Sequence, residues 1–272
     1  MTLDQASFTT TMSVHVESVG QGRPLVLLHA GAMHSGLWMP LLPRLIDRYR
    51  LHMVDLPGHG YSPPVEPYTL AALTEAIADR FATLSDSREV PPMLLGWSLG
   101  AAVALEWAMW RPDSARALVL TGASPCFAQR DDWPHAMAKI TLEQFGDELT
   151  VSYRLTLQRF IRLQLRGSEH ADAAEHALRS HLFQRGQPSP AILRKVVHLL
   201  AATDLRSSVA RVRQPTLLVA GDRDTLTPLA AAQWLASALP RSALTVIPGA
   251  AHAPFLSHPD AFVAALGRFD EH

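Results

Sequence analysis

The chain has a single cysteine, Cys126. An internal disulfide framework and a cysteine-built metal cluster are therefore both excluded. Charge is also scarce: 18% of the 272 residues are Asp, Glu, Lys or Arg, and 24 basic against 25 acidic residues leave a net charge of −1. A chain so balanced lacks the basic surplus that drives binding to nucleic acid or to an anionic membrane surface. No basic segment followed by an apolar run opens the sequence, so no secretory leader is expected. Neither H-E-x-x-H, G-x-x-x-x-G-K-S/T nor G-x-G-x-x-G occurs, and the 13 histidines show no zinc-ligand spacing. No metal and no cofactor is expected. Residues 24–43 form the longest stretch without a charged side chain, and their 20 residues match a membrane span in length. But Pro24, Pro40, Pro43, Gly31, Gly36, His29 and His34 interrupt that stretch. It reads as a buried strand followed by a loop.

What is present is hydrophobic material, 48% of the chain, in short runs. Residues 25–28, 51–54, 93–95, 117–120, 216–220 and 244–247 are nearly continuous apolar runs, as strands buried on both faces are. Residues 14–19 alternate as an edge strand would. Helical patterns over 70–84, 99–110, 229–239 and 259–269 separate several of these runs. Such alternation predicts an α/β fold with a mostly parallel sheet and helices on both faces. Residues 124–211 break the rhythm with helical patterns and no convincing strand. They are expected to form a helical cap inserted into a core made of residues 1–123 and 212–272.

Gly96-Trp97-Ser98-Leu99-Gly100 matches G-x-S-x-G between a strand and a helix. Five residues alone would also fit an ordinary tight turn. The flanks favour a nucleophilic serine on a sharp strand-to-helix elbow, where the small residues admit the close backbone approach. The Leu99 amide then lies at a helix N-terminus, aimed at a developing oxyanion. A serine nucleophile needs a base, and the base an orienting acid, in the chain order Ser, acid, His. Two loops after predicted strands supply them: Gly221-Asp222-Arg223-Asp224 and Ala250-Ala251-His252. His252 is the expected base, with His258 a weaker candidate because it directly precedes Pro259. Asp222 and Asp224 are both candidate acids. Gly31, in the loop after the second strand, is expected to give a second oxyanion amide. His29 and the Asp55–Gly60 turn read as scaffold.

These residues resemble the α/β-hydrolase superfamily, in which the second Asp of a G-D-x-D-x-x-x-P loop serves as the acid. The resemblance thus favours Asp224. A closer likeness rests on Leu51-His-Met-Val-Asp-Leu-Pro-Gly58, Leu95-Gly-Trp-Ser-Leu-Gly100, Ser124-Pro-Cys-Phe127, Asp132-Trp-Pro134, Phe160-Ile-Arg-Leu-Gln164, Thr203-Asp-Leu-Arg206 and Ala250-Ala-His-Ala-Pro-Phe-Leu-Ser-His-Pro259. Together they are similar to the pimeloyl-[acyl-carrier protein] methyl ester esterases of biotin synthesis. That resemblance implies a cytoplasmic, monomeric serine carboxylesterase with acyl carrier protein as its partner. It also implies that Phe160, Ile161, Arg162, Leu163 and Gln164 line the substrate channel. Residues 154–195 hold eight Lys or Arg and three acids, a local charge of +5. This run is a solvated face on composition alone. Beside an acidic carrier it becomes a docking face, with Arg154, Arg159 and Arg166 as contacts. One departure stands out: the family carries Trp where this chain has Gly31. The backbone amide survives that exchange, but a side-chain wall of the pocket is lost.

Overall fold

The structure, a computed structural model, describes residues 13–84, 90–165, 171–179 and 181–271. Seven strands form one sheet: β1 (Val16–Val19), β2 (Arg23–Leu28), β3 (Tyr49–Val54), β4 (Met93–Trp97), β5 (Ala117–Thr121), β6 (Thr216–Gly221) and β7 (Ser242–Ile247). Their spatial order is β1-β3-β2-β4-β5-β6-β7. Only β1, at one edge, runs antiparallel to its neighbour. The central strands β4, β5 and β6 are buried at every residue, which explains their unbroken apolar sequences.

Strand alternation sends side chains to two separate cores. Leu25, Leu27, Leu95 and Val119 face one side, packed on Leu37, Trp38 and Leu41 of a 3-10 segment and on Phe262 and Leu266. The last two belong to α8 (Pro259–Asp270), which follows the short helix α7 (Pro254–Ser257). Val26, Leu28, Leu94 and Leu118 face the other side, packed on α1 (Leu70–Ala82), α2 (Leu99–Trp110) and α6 (Leu229–Ala238). Leu70, Leu73, Ile77 and Phe81 repeat at helical spacing and give α1 its buried stripe, while Thr69 caps its start by accepting from the Ala72 amide at 3.2 Å. α2 is buried on nearly every side. That burial accounts for its Ala-rich, almost uncharged sequence.

Between β5 and β6 the described residues carry α3 (Lys139–Leu165), α4 (Ala171–Arg179) and α5 (Pro190–Ala202). α3 is broken at Ser152, whose φ of −142° and ψ of 58° interrupt the helical backbone. Ser189 accepts from the Ile192 amide and Pro190 occupies the first turn, so α5 starts where the sequence offers a cap. Arg185 ties this region to the core by pairing with Glu17 and with the fully buried Asp55. No helix among the described residues is long and apolar enough to cross a membrane.

Candidate active site

Ser98 stands between β4 and α2 with φ 55° and ψ −115°, a backbone state that costs a non-glycine residue about 1–3 kcal/mol. Its neighbours explain how the turn closes. A Cβ on Gly100 would lie 2.1 Å from the Leu28 carbonyl oxygen, and one on Gly96 would lie 2.4 Å from that of Gly100. Ser98 occupies the N-cap position of α2 but makes no side-chain capping bond. Its hydroxyl is left for chemistry, and the first amides of α2 keep their unpaired N–H groups. Among the described residues, neither the Leu99 nor the Gly31 amide donates to a protein acceptor.

His252 and Asp224 meet from the loops after β7 and β6. The His252 Nδ1–H donates to Asp224 Oδ2 at 2.8 Å. The other carboxylate oxygen, Oδ1, accepts from the amides of Leu226 and Thr227 at 2.8 and 2.9 Å, and the Thr227 hydroxyl donates to Oδ2 at 2.7 Å. Burial alone would raise the Asp224 pKa. The facing imidazole and the Thr227 donors outweigh it and hold the carboxyl below its usual range. With Nδ1 protonated toward the aspartate, Nε2 of His252 is left with its lone pair, the form a general base requires. Asp222 is exposed and instead accepts from the Gly249 amide at 2.8 Å, bracing the loop that carries His252. His258 bonds Ser257 at the start of α8.

Ser98 and His252 open into one cleft, floored by Ala30, Gly31 and Ala32. Its other walls are almost wholly apolar: Phe145, Leu149 and Phe160 from α3, Val196 and Leu200 from α5, and Leu226 beside Thr227. Among the described residues, no Asp, Glu, Lys or Arg lines it. The place a side chain on residue 31 would occupy is already filled, because its Cβ would lie 2.8 Å from Val196 Cγ1.

The five residues of the Phe160–Gln164 segment do not share one environment. Phe160 lines the cleft and stacks on Phe145 with ring centroids 4.2 Å apart. Ile161 is buried in the core beneath. Arg162 is exposed and pairs with Glu175 at 2.8 Å, and Leu163 is exposed. Neither of these two is among the residues lining the cleft. The expectation that both line the channel is corrected by helix geometry, since successive residues turn 100° apart and cannot all face one cavity. The Gln164 side chain and Arg166 lie outside the described residues. Arg154 rests over the Phe183 ring at 4.6 Å, and Arg159 is exposed.

Three contributors escaped the sequence reading. Thr227 buttresses the Asp224 carboxylate. Gly122, at φ 52°, leaves the space that the His252 ring takes, for a Cβ there would lie 2.7 Å from His252 Cε1. Trp97 donates from Nε1 to the His252 carbonyl at 3.1 Å, anchoring that loop to β4.

A family model described as alpha/beta hydrolase fold matches residues 23–259. The pimeloyl-[acyl-carrier protein] methyl ester esterase of Nitrosomonas europaea is 42% identical over 254 residues, 93% of this chain and 98% of that protein. The Chromobacterium violaceum protein of the same name is 38% identical over 255 residues, 94% of this chain and 97% of that one. The chain belongs to the pimeloyl-[acyl-carrier protein] methyl ester esterase family of α/β hydrolases. Solved structures agree on the fold. A bromoperoxidase from Bacillus anthracis superposes with a TM-score of 0.86 at 24% identity, over 95% of both chains. An esterase from Exiguobacterium antarcticum gives 0.83 at 22% identity, over 95% of this chain and 96% of its own.

Proposed function

We propose that the protein hydrolyses the methyl ester at the end of a pimeloyl chain carried on acyl carrier protein, releasing methanol and the free ω-carboxylate for biotin synthesis. The observation that carries this reading is the apolar cleft over Ser98 and His252, in a chain about 40% identical to esterases of that name over nearly its whole length. A methylene chain and an uncharged ester end suit such walls, whereas a charged end would be desolvated without a partner.

The chemistry runs in two halves. His252 Nε2 takes the proton of the Ser98 hydroxyl as Oγ attacks the ester carbonyl. The Leu99 and Gly31 amides stabilise the tetrahedral oxyanion. The C–O bond to the methoxy group breaks as the imidazolium returns the proton, and methanol leaves. A water then attacks the acyl-enzyme, giving its proton to His252. Collapse releases the carboxylic acid and restores Ser98. Asp224 holds the imidazole tautomer and stabilises the imidazolium throughout.

The carrier would meet the cap. Of the basic residues there, Arg162 pairs with Glu175, Arg185 with Glu17 and Asp55, and Lys195 with Glu66. Arg154, Arg159 and Arg194 have no acidic partner among the described residues, which makes them the available contacts for an acidic protein.

Purified wild type and Ser98→Ala should be compared on the carrier-linked methyl ester and in a biotin-requiring strain that lacks this esterase. Wild type should turn over the ester and rescue growth, and Ser98→Ala should do neither. Equal efficiency on a simple short-chain ester and on the carrier-linked one would favour a broad carboxylesterase instead.

A further inference from the structure

The floor of the cleft is three consecutive peptide units, and each is pinned by a different side chain. The carbonyl of Ala30, which shares its peptide plane with the Gly31 N–H, accepts from His29 Nδ1–H at 2.7 Å. The next unit is held by the Ala32 N–H, which donates to His59 Nε2 at 3.1 Å. The third is held by the Ala32 carbonyl, which accepts from the Tyr153 hydroxyl at 2.7 Å. The peptide bond is planar, so fixing one end of a unit fixes the other. The direction of the Gly31 N–H therefore depends on this row of anchors.

The two histidines are parts of the core. His59 Nδ1 lies 3.1 Å from the Pro57 carbonyl, and His29 Nε2 accepts from the Leu56 amide at 2.9 Å. Each ring is thus a neutral tautomer with one donor and one acceptor in use, and both are fully buried. Tyr153 is different. It belongs to the cap helix α3, one residue after the break at Ser152, and its side chain reaches from there to the oxyanion loop. What it holds is the least relaxed residue of the loop, since Ala32 lies at φ 62°, the left-handed region that an alanine rarely adopts.

We propose that Tyr153 is a positioning residue for ester hydrolysis: its hydroxyl, presented by the broken cap helix, clamps the left-handed Ala32 and so aims the Gly31 amide at the reacting oxygen. The proposal rests on the reading of Gly31 as an oxyanion donor. Under it, the cap completes the oxyanion hole as well as roofing the substrate, and the broken helix is the geometry that lets the hydroxyl reach the loop.

Tyr153→Phe keeps the ring and removes only the hydroxyl. Removing a whole oxyanion donor costs about a hundredfold or more in kcat. Loosening one should lower kcat by roughly tenfold while KM for a short-chain methyl ester stays within about twofold. The inhibition constant of a trifluoromethyl ketone, which forms a tetrahedral oxyanion on the serine, should rise by the same factor as kcat falls. Leu149→Ala alters the cap wall but leaves the hydroxyl in place, so it should change KM without that parallel. An unchanged kcat and inhibition constant in Tyr153→Phe would overturn the proposal. So would a matching parallel in Leu149→Ala, which would mean that any loosening of the cap has the same effect. Ser98→Ala separates the two levels. If it retained turnover, the serine mechanism itself would fall. If it is inactive while Tyr153→Phe is unaltered, only the clamp falls.

Discussion

Adding one methyl group to residue 31 should destabilise this protein and slow it together. The Cβ of Gly31→Ala would stand 2.8 Å from Val196 Cγ1 and 3.4 Å from Leu99 Cδ2. Carbon atoms settle at about 3.5–4.0 Å, so the first contact must open by roughly 1 Å. Val196 cannot turn aside easily. It is β-branched, lies within α5 and is 2% exposed, so its single favoured rotamer is enclosed on all sides. The strain must move either α5 or the oxyanion loop, and overpacking of this kind costs about 1–3 kcal/mol. Urea unfolding should show that loss as a lower midpoint at constant slope. Initial rates on a methyl ester should fall in the same variant, because the displaced loop carries the proposed oxyanion amide. The double variant Gly31→Ala with Val196→Ala removes the clash, so its loss should be smaller than the sum of the two single losses by about 1 kcal/mol or more. Additive losses, or a Gly31→Ala protein as stable as wild type, would refute the reasoning. The indole that the family resemblance implies at this position would require a still larger rearrangement of α5.

Two further outcomes follow from the charges. Burial lowers the pKa of His59 to about 4 and that of His29 to about 3, the latter helped by the neighbouring His59. Below about pH 6.5 the unfolded chain takes up protons that the folded one refuses, so stability is complete above that pH and falls on the way down to about 3. Urea unfolding at pH 7 and pH 5 should differ by roughly 3 kcal/mol for the pair, and a flat profile would contradict their buried neutral state. Reversing Arg154 and Arg159 to Glu should raise KM for the carrier-linked ester by about tenfold at low salt, with turnover of a short-chain ester unchanged. The difference should shrink as salt screens the contact, and equal effects on both substrates would exclude the proposed docking face.

Much of this was legible in the sequence, for identifiable reasons. The central strands announced themselves because a sheet covered on both sides leaves few polar positions, and β1 by its edge alternation; all seven expected runs are strands. The serine elbow was legible because the close approaches at Gly96 and Gly100 exclude any side chain. Choosing between Asp222 and Asp224 needed the resemblance, since both flank a single arginine and only the folded loop shows which reaches His252. Thr227, Gly122 and Tyr153 were not legible. Gly122 and Tyr153 act through contacts with residues distant in sequence; Thr227 sits only three residues from Asp224, yet nothing local marks a threonine that supports a carboxylate. The Phe160–Gln164 segment misled for the opposite reason. A contiguous motif suggests a contiguous function, but a helix presents only Phe160 of its first four residues to the cleft. The +5 run was likewise real on paper, yet among the described residues three of its cations are engaged with acids inside the molecule.

The lining of the cleft bears on product release as well as on substrate choice. The product differs from the substrate in one feature, a carboxylate where a methyl ester stood. Under the proposed mechanism it is formed between Ser98, Thr227 and His252, and beyond them the described walls are apolar, with no cationic side chain among them to receive it. The buried Asp224 carboxylate, itself held ionised, stands behind His252. A new anion there loses its hydration, gains no salt bridge and faces a charge of its own sign, so the cleft favours the ester over its own product. The two proposed oxyanion amides would offset part of that penalty, but a tetrahedral oxygen is what they suit. The free acid should therefore inhibit weakly, with an inhibition constant at least about tenfold above KM for the matching methyl ester, while the uncharged primary amide of the same chain should bind close to KM. Acid and amide binding equally well would show that the carboxylate finds a partner in the cleft, and the apolar wall would then not be what separates substrate from product.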